Sequence, residues 1–73
     1  MAEGLNNRLR ELRAEHDLTQ AALAEQVGVS RKTINTIENG VFIPSTLLAL
    51  KLARALGRPV EDLFSLDDGR QEK

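Results

Sequence analysis

Seventy-three residues with 10 Lys and Arg, 11 Asp and Glu and a formal net charge of −1 allow one small domain, below the roughly 100–150 residues of a typical one. One His, no Cys and two Phe as the only aromatics exclude disulfide frameworks, thiolate zinc sites, His clusters and triads, and single-strand binding by stacked aromatics. No apolar run is longer than the four residues of Leu47 to Leu50 and the start MAEGLNNR has no charged-then-apolar leader, so a chain without membrane span or signal peptide, acting in the cytoplasm with no cofactor and no metal, is expected.

The charge balance runs against the basic surplus common in nucleic-acid-binding domains. Residues 1–40 hold 5 basic and 6 acidic groups and residues 41–73 hold 5 and 5. Any basic surface must therefore be assembled locally.

Apolar residues at Leu5, Leu9 and Leu12 form an i, i+4, i+7 stripe and predict a first helix over about 5–15. Thr19 offers an N-cap oxygen to a second helix, with Leu23, Ala24 and Val27 inward and Gly28 at its end. Ser30 caps a third helix with Ile34 and Ile37 inward, closed by Asn39-Gly40, two residues that accept a left-handed conformation. Val41-Phe42-Ile43 reads as a short apolar loop, Pro44-Ser45 opens a fourth helix, and Gly57 stops it. Pro59 stands near the first position of a short fifth helix with Val60, Leu63 and Phe64 buried. No alternating segment of useful length predicts a strand. The expected domain covers residues 5–66, with 1–4 and 67–73 as frayed termini.

Thr19 to Asn39 is thus two short helices joined at Gly28-Val29, the size of a helix-turn-helix. Wheel placement at about 100° per residue groups Ser30, Ile34 and Ile37 on one side of the third helix and Lys32, Asn35, Thr36 and Asn39 opposite, with Arg31 and Thr33 on the flanks. Glu38 falls on the flank near Ile34 and points away from the outward face. That face has no acid. Arg and Lys match guanine acceptors, Asn can pair with adenine, and a Thr methyl can meet a thymine methyl. The same residues also suit a plain solvated face.

The run LTQAALAEQVGVSRKTINTIENG, followed by PSTLLALKLARALGRPVEDLF, resembles the lambda repressor and Cro family, also called the XRE family, over about residues 5–66. The resemblance implies an all-α fold, a compact five-helix bundle whose second and third helices form the helix-turn-helix. It implies a double-stranded DNA partner. Arg31, Lys32, Asn35 and Thr36 match family positions that face base edges. Gln20 matches a residue that contacts phosphate and braces the first recognition residue, and Thr33 and Asn39 match phosphate-contacting positions. The free amides opening the second helix suit a phosphate on independent grounds. Thr46 stands where many relatives have a core Leu, and Leu47, on the side of Lys51 and Arg54, is expected to be exposed.

The fourth helix is apolar on most faces, which fits either a central helix or a homodimer. Relatives of this size commonly pair through the fifth helix and the segment after it, so Val60, Leu63, Ser65 and Leu66 are the expected dimer contacts. His16 reads as a surface residue at a helix end, and Glu61-Asp62 as helix-start acids. The resulting expectation is a non-enzymatic transcriptional repressor that binds a near-palindromic operator as a homodimer. The rival reading is a protein-interaction module such as the antitoxin of a toxin–antitoxin pair.

Overall fold

The computed structural model describes residues 4–67, in the order β1 (Gly4–Asn7), α1 (Leu9–Glu15), α2 (Gln20–Val27), α3 (Arg31–Glu38), α4 (Thr46–Leu56), α5 (Val60–Leu63) and β2 (Phe64–Asp67). Hydroxyl side chains open three of these helices. Thr19 Oγ1 accepts from Ala22 N at 2.9 Å, Ser30 Oγ from Thr33 N at 3.1 Å, and Ser45 Oγ from Leu48 N at 3.1 Å. Each satisfies one of the amides that a helix start leaves without a partner. Gly28 and Gly57 end α2 and α4 at φ of 80° and 66°, where a side chain would be strained. At the end of α3 the positive φ falls on Gly40 alone, while Asn39 stays at −87°. Pro59 lies at the cap of α5, one residue before the helix.

Helices of seven to eleven residues are marginal in isolation, so tertiary burial must hold them. Leu9, Leu12, Leu23, Ile34, Leu52, Leu56 and Leu63 are each at most 1% exposed, and each such side chain contributes about 1.5–3 kcal/mol. They come from all five helices and meet in one core, with Ala24, Val27, Ile37, Leu48 and Ala53 completing it. The fourth helix is central along Leu48, Leu52, Ala53 and Leu56 but leaves Leu47 and Leu50 exposed at 65% and 52%.

The chain ends depart from the expected pattern. Residues 4–7 pair antiparallel with residues 64–67, with Leu5 opposite Leu66 and Asn7 opposite Phe64. The first helix therefore starts at Leu9, not Leu5, and Gly4 and Asp67 belong to the fold; the remaining terminal residues expected to fray, 1–3 and 68–73, lie outside the described part. Asn7 is the physical reason for the late start. Its Oδ1 accepts from Leu9 N at 3.2 Å, its Nδ2 donates to the Ile37 carbonyl at 3.0 Å, and the next amide, Arg8 N, donates to Leu63 O at 2.8 Å. These bonds give β1 and the first turn of α1 non-local partners that a continued helix would not use. Side chains alternate across a strand, so Leu5, Asn7, Phe64 and Leu66 share one face of the ribbon and Asn6 and Ser65 the other.

Asn7→Ala removes both side-chain bonds at once. It is expected to lower stability by about 1–2 kcal/mol, read as a reduced urea midpoint with unchanged m value.

Candidate nucleic-acid interface

The turn between α2 and α3 is fixed by backbone bonds from Gly28 N and Val29 N, both to Ala24 O, at 2.8 and 3.0 Å. Val29 packs against the core. The angle between the two helices is thereby set by the turn's own backbone bonds and the half-buried Val29. Ile34 and Ile37, at 0% and 1% exposure, bury the inner side of α3. The opposite side carries the residues singled out from the sequence. Arg31, Lys32 and Asn39 are exposed, and Thr33, Asn35 and Thr36 half-buried.

Several of these side chains are already oriented. Arg31 Nη1 donates to Gln20 Oε1 at 3.3 Å, which brings the first residue of α3 against the first residue of α2. Thr36 Oγ1 donates to the Thr33 carbonyl at 2.9 Å, and Thr33 Oγ1 lies 3.0 Å from Ser30 Oγ. Lys32 makes no ion pair among the described residues. The loop after α3 is pinned to the same helix, since Val41 N and Phe42 N both donate to Thr36 O. Val41 and Phe42 stand exposed beside Lys32, Thr33 and Thr36.

A feature missed from the sequence lies behind this face. Glu38, placed on a flank by the wheel, has a side chain with no exposed surface. Its carboxylate accepts from Arg13 Nε at 2.6 Å and Nη2 at 3.3 Å, from Gln20 Nε2 at 3.0 Å, and from Arg10 Nε at 3.4 Å. One acid thus joins α1, α2 and α3. Burial alone would raise its pKa, but the hydrogen bonds from Arg13 and Gln20, the Arg13 charge and the Arg10 contact outweigh burial and hold the carboxyl below the usual carboxylate value. The available signal was electrostatic. Glu38 ends α3, at the negative pole of the helix, where an acid is unfavourable without cations. Arg10 and Arg13 supply them.

The consequence for the outer face is direct. The only acid of α3 is turned inward and neutralised, so the outward side presents Arg31 and Lys32 with carboxamides and hydroxyls. Arg10, 62% exposed along its side chain, adds to it from α1. A chain of net charge −1 so exposes a cationic, hydrogen-bonding face.

The expected dimer contacts separate. Leu63 is 1% exposed and belongs to the core. It cannot line a protomer surface. Ser65 and Leu66 lie on opposite faces of the ribbon, so they cannot share one flat contact. Leu66 is 63% exposed and Val60 half-buried, and Leu5, Ile43 and Leu50 add apolar surface around Val60 and Phe64. His16, exposed, donates from Nε2 to the Leu56 carbonyl 2.8 Å away, at the end of α4. Asp62, near the start of α5, accepts from Arg58 at 3.1 Å. No helix among the described residues is long and apolar enough to cross a membrane.

Residues 9–63 match the model of a helix-turn-helix family. An uncharacterized HTH-type transcriptional regulator from Methanothermobacter thermautotrophicus is 54% identical over 61 residues, covering 82% of this chain and 88% of that protein. The HTH-type regulator YgzD of Bacillus subtilis is 44% identical over 64 residues, covering 88% and 97%. Among solved structures, the restriction-modification controller protein C.AhdI from Aeromonas hydrophila superimposes with a TM-score of 0.72 at 38% identity, covering 75% of this chain and 83% of the other.

The Glu38 network predicts a pH-dependent stability. Because the folded pKa is lowered, the contribution is fully present above the ordinary carboxylate range and is lost as pH falls through the folded value. Glu38→Ala is expected to cost about 2–3 kcal/mol at neutral pH. The gap between the native protein and Glu38→Gln should narrow in denaturant melts taken from neutral pH down to about pH 3.

Proposed function

The chain belongs to the XRE-type helix-turn-helix family of transcriptional regulators, and from that premise we propose that it is a cytoplasmic repressor that binds a near-palindromic operator as a homodimer and occludes a promoter. The observation that carries this reading is the acid-free outer face of α3, obtained by burying Glu38. Arg31, Lys32, Asn35 and Thr36 read base edges, and Gln20, Thr33 and Asn39 hold backbone phosphates. Gln20 supports two roles, since its contact to Arg31 keeps the guanidinium from sweeping freely and lowers the entropy lost on binding.

Pairing supplies what one helix lacks. A single recognition helix contacts only a few base pairs, and a near-neutral chain gains little from nonspecific attraction to phosphate. Two copies on a two-fold axis double the contacts. The apolar surface of Leu66, Val60, Leu50, Ile43 and Leu5 supports that pairing, with Leu63 supporting it from within the core. The half-site centres then lie about 34–36 Å apart, one turn of DNA.

Selection of bound sequences from random duplex DNA tests the reading. Arg31→Ala and Lys32→Ala should each cost about 1–3 kcal/mol on the selected site and relax preference there, with the melting temperature unchanged. Equal loss on random DNA would instead assign these side chains to phosphate.

Leu66→Glu tests the assembly. An unpaired charge in an apolar contact costs several kcal/mol, so this variant is expected to sediment as a monomer where the native chain sediments as a dimer. A native monomer at tens of micromolar would overturn the pairing and leave the DNA-reading assignment intact.

A further inference from the structure

Among the described residues the cations divide by what they meet. Arg8, Arg10, Arg13 and Arg58 each reach a carboxylate within the protein. Those with no ion pair among the described residues stand as two pairs, Arg31 with Lys32 at the start of α3 and Lys51 with Arg54 on α4. The first pair lies on the face read above as the DNA contact. The second stands elsewhere. Lys51 and Arg54 are three residues apart, so they share one side of the helix. Both are exposed and line a trough between α4 and the last turn of α2, where Gln26 adds an amide. Leu47, one turn before Lys51 on the same side, is 65% exposed and lines a second hollow with Val29. Val27, Gly28 and Lys51 border both hollows, which therefore run into each other. The result is one groove, apolar at Leu47 and cationic at Lys51 and Arg54, about 10 Å from first to last along the helix.

The fold accounts for only part of this. Arg54, in the last turn of α4, complements the helix dipole. Lys51 sits in mid-helix, and Leu47 adds nothing to the core, to which α4 gives Leu48, Leu52, Ala53 and Leu56. Glu25 lines the α2 rim of the trough but forms no ion pair with either cation. Two cations against one acid leave the groove positive.

We propose that this groove docks an acidic amphipathic helix of a second protein, an activity separate from DNA reading. The partner's face carries an apolar side chain to lie against Leu47 and Val29, and carboxylates one and two turns away to meet Lys51 and Arg54. A helix laid in a groove reads its host at that spacing. A phosphate backbone would satisfy the cations but leave Leu47 in water. The groove uses the last turn of α2, whereas the DNA-reading side uses its first residue, Gln20. No residue of α4 lines both this groove and the apolar patch around Val60 and Phe64.

The probes are two blocked, alanine-based helical peptides with Glu four and seven residues after, or before, a single Leu. They are titrated into the nitrogen-15-labelled full chain, free and with duplex DNA present. Amide shifts should fall on residues 25–29 and 45–55 in both conditions. The double variant Lys51→Glu, Arg54→Glu should bind at least about tenfold more weakly, the worth of two exposed ion pairs. The same peptide with Lys in place of Glu should bind that variant as the original binds the native chain. Leu47→Ser should also weaken binding, and the melting temperature should hold in all these variants, because the altered side chains are exposed. Shifts centred on Arg31 and Lys32, or equal binding of a peptide with the same residues in scrambled order, overturn the proposal. So does a double variant that binds all duplex DNA less tightly, which assigns the groove to phosphate, or one that no longer pairs, which assigns it to a second copy.

Discussion

A buried carboxylate is the constraint on which the arrangement of α1, α2 and α3 depends. Removing an ion from water costs several kcal/mol, and only close, well-directed donors offset it. Glu38 meets that demand with Arg13 and Arg10 from α1 and Gln20 from α2. Moving any of the three helices would leave a charge or a donor without its partner. Apolar packing tolerates small shifts at modest cost, whereas this cluster does not. The hydrophobic core holds the helices together, and the Glu38 cluster fixes how they are turned.

The polarity of the cluster reaches the surface. Gln20 gives its amide nitrogen to Glu38, which leaves its oxygen for Arg31. Arg10 gives Nε to Glu38 and Nη2 to Asn39. On the Gln20 side a carboxylate that cannot donate decides which atom faces outward, and on the Arg10 side a guanidinium that cannot accept turns the Asn39 oxygen towards it. Both ends of α3 also run against the helix dipole, with Arg31 at the positive pole and Glu38 at the negative one. Such local conflict is common where a surface is shaped for a ligand. Here the acid is compensated inside the protein and the cation is left for an anionic partner.

The ribbon of β1 and β2 does a different task. A chain of this size buries a small core, and its ends are the first places to open. Pairing residues 4–7 with 64–67 closes the two ends on each other, and Asn7 fastens the ribbon to both α1 and α3. The ribbon also organises the apolar surface. Leu5 and Leu66 face the same way and extend the partly covered patch around Val60 and Phe64. A contiguous patch of exposed apolar side chains marks a surface suited to association.

The sequence by itself determined the helices and the inner side of each. Thr19, Ser30 and Ser45 cap, Gly28 and Gly57 stop, and the spacing of Leu23, Val27, Ile34 and Ile37 needs only local geometry to be read. The family motifs added the pairing of α2 with α3 and pointed to the outward residues of α3. The tertiary structure alone decided the rest. The strand GLNN has four residues and little β propensity, so its pairing with residues 64–67 depends on a partner about sixty residues away. Leu63, assigned from the sequence to a surface contact, lies in the core. Glu38 looked like a flank residue because a helical wheel contains one helix, and its four contacts lie on two others. Periodicity reports which side of an element is apolar. It carries no information about which charged group on another element reaches across, because that depends on the angles at which the helices pack.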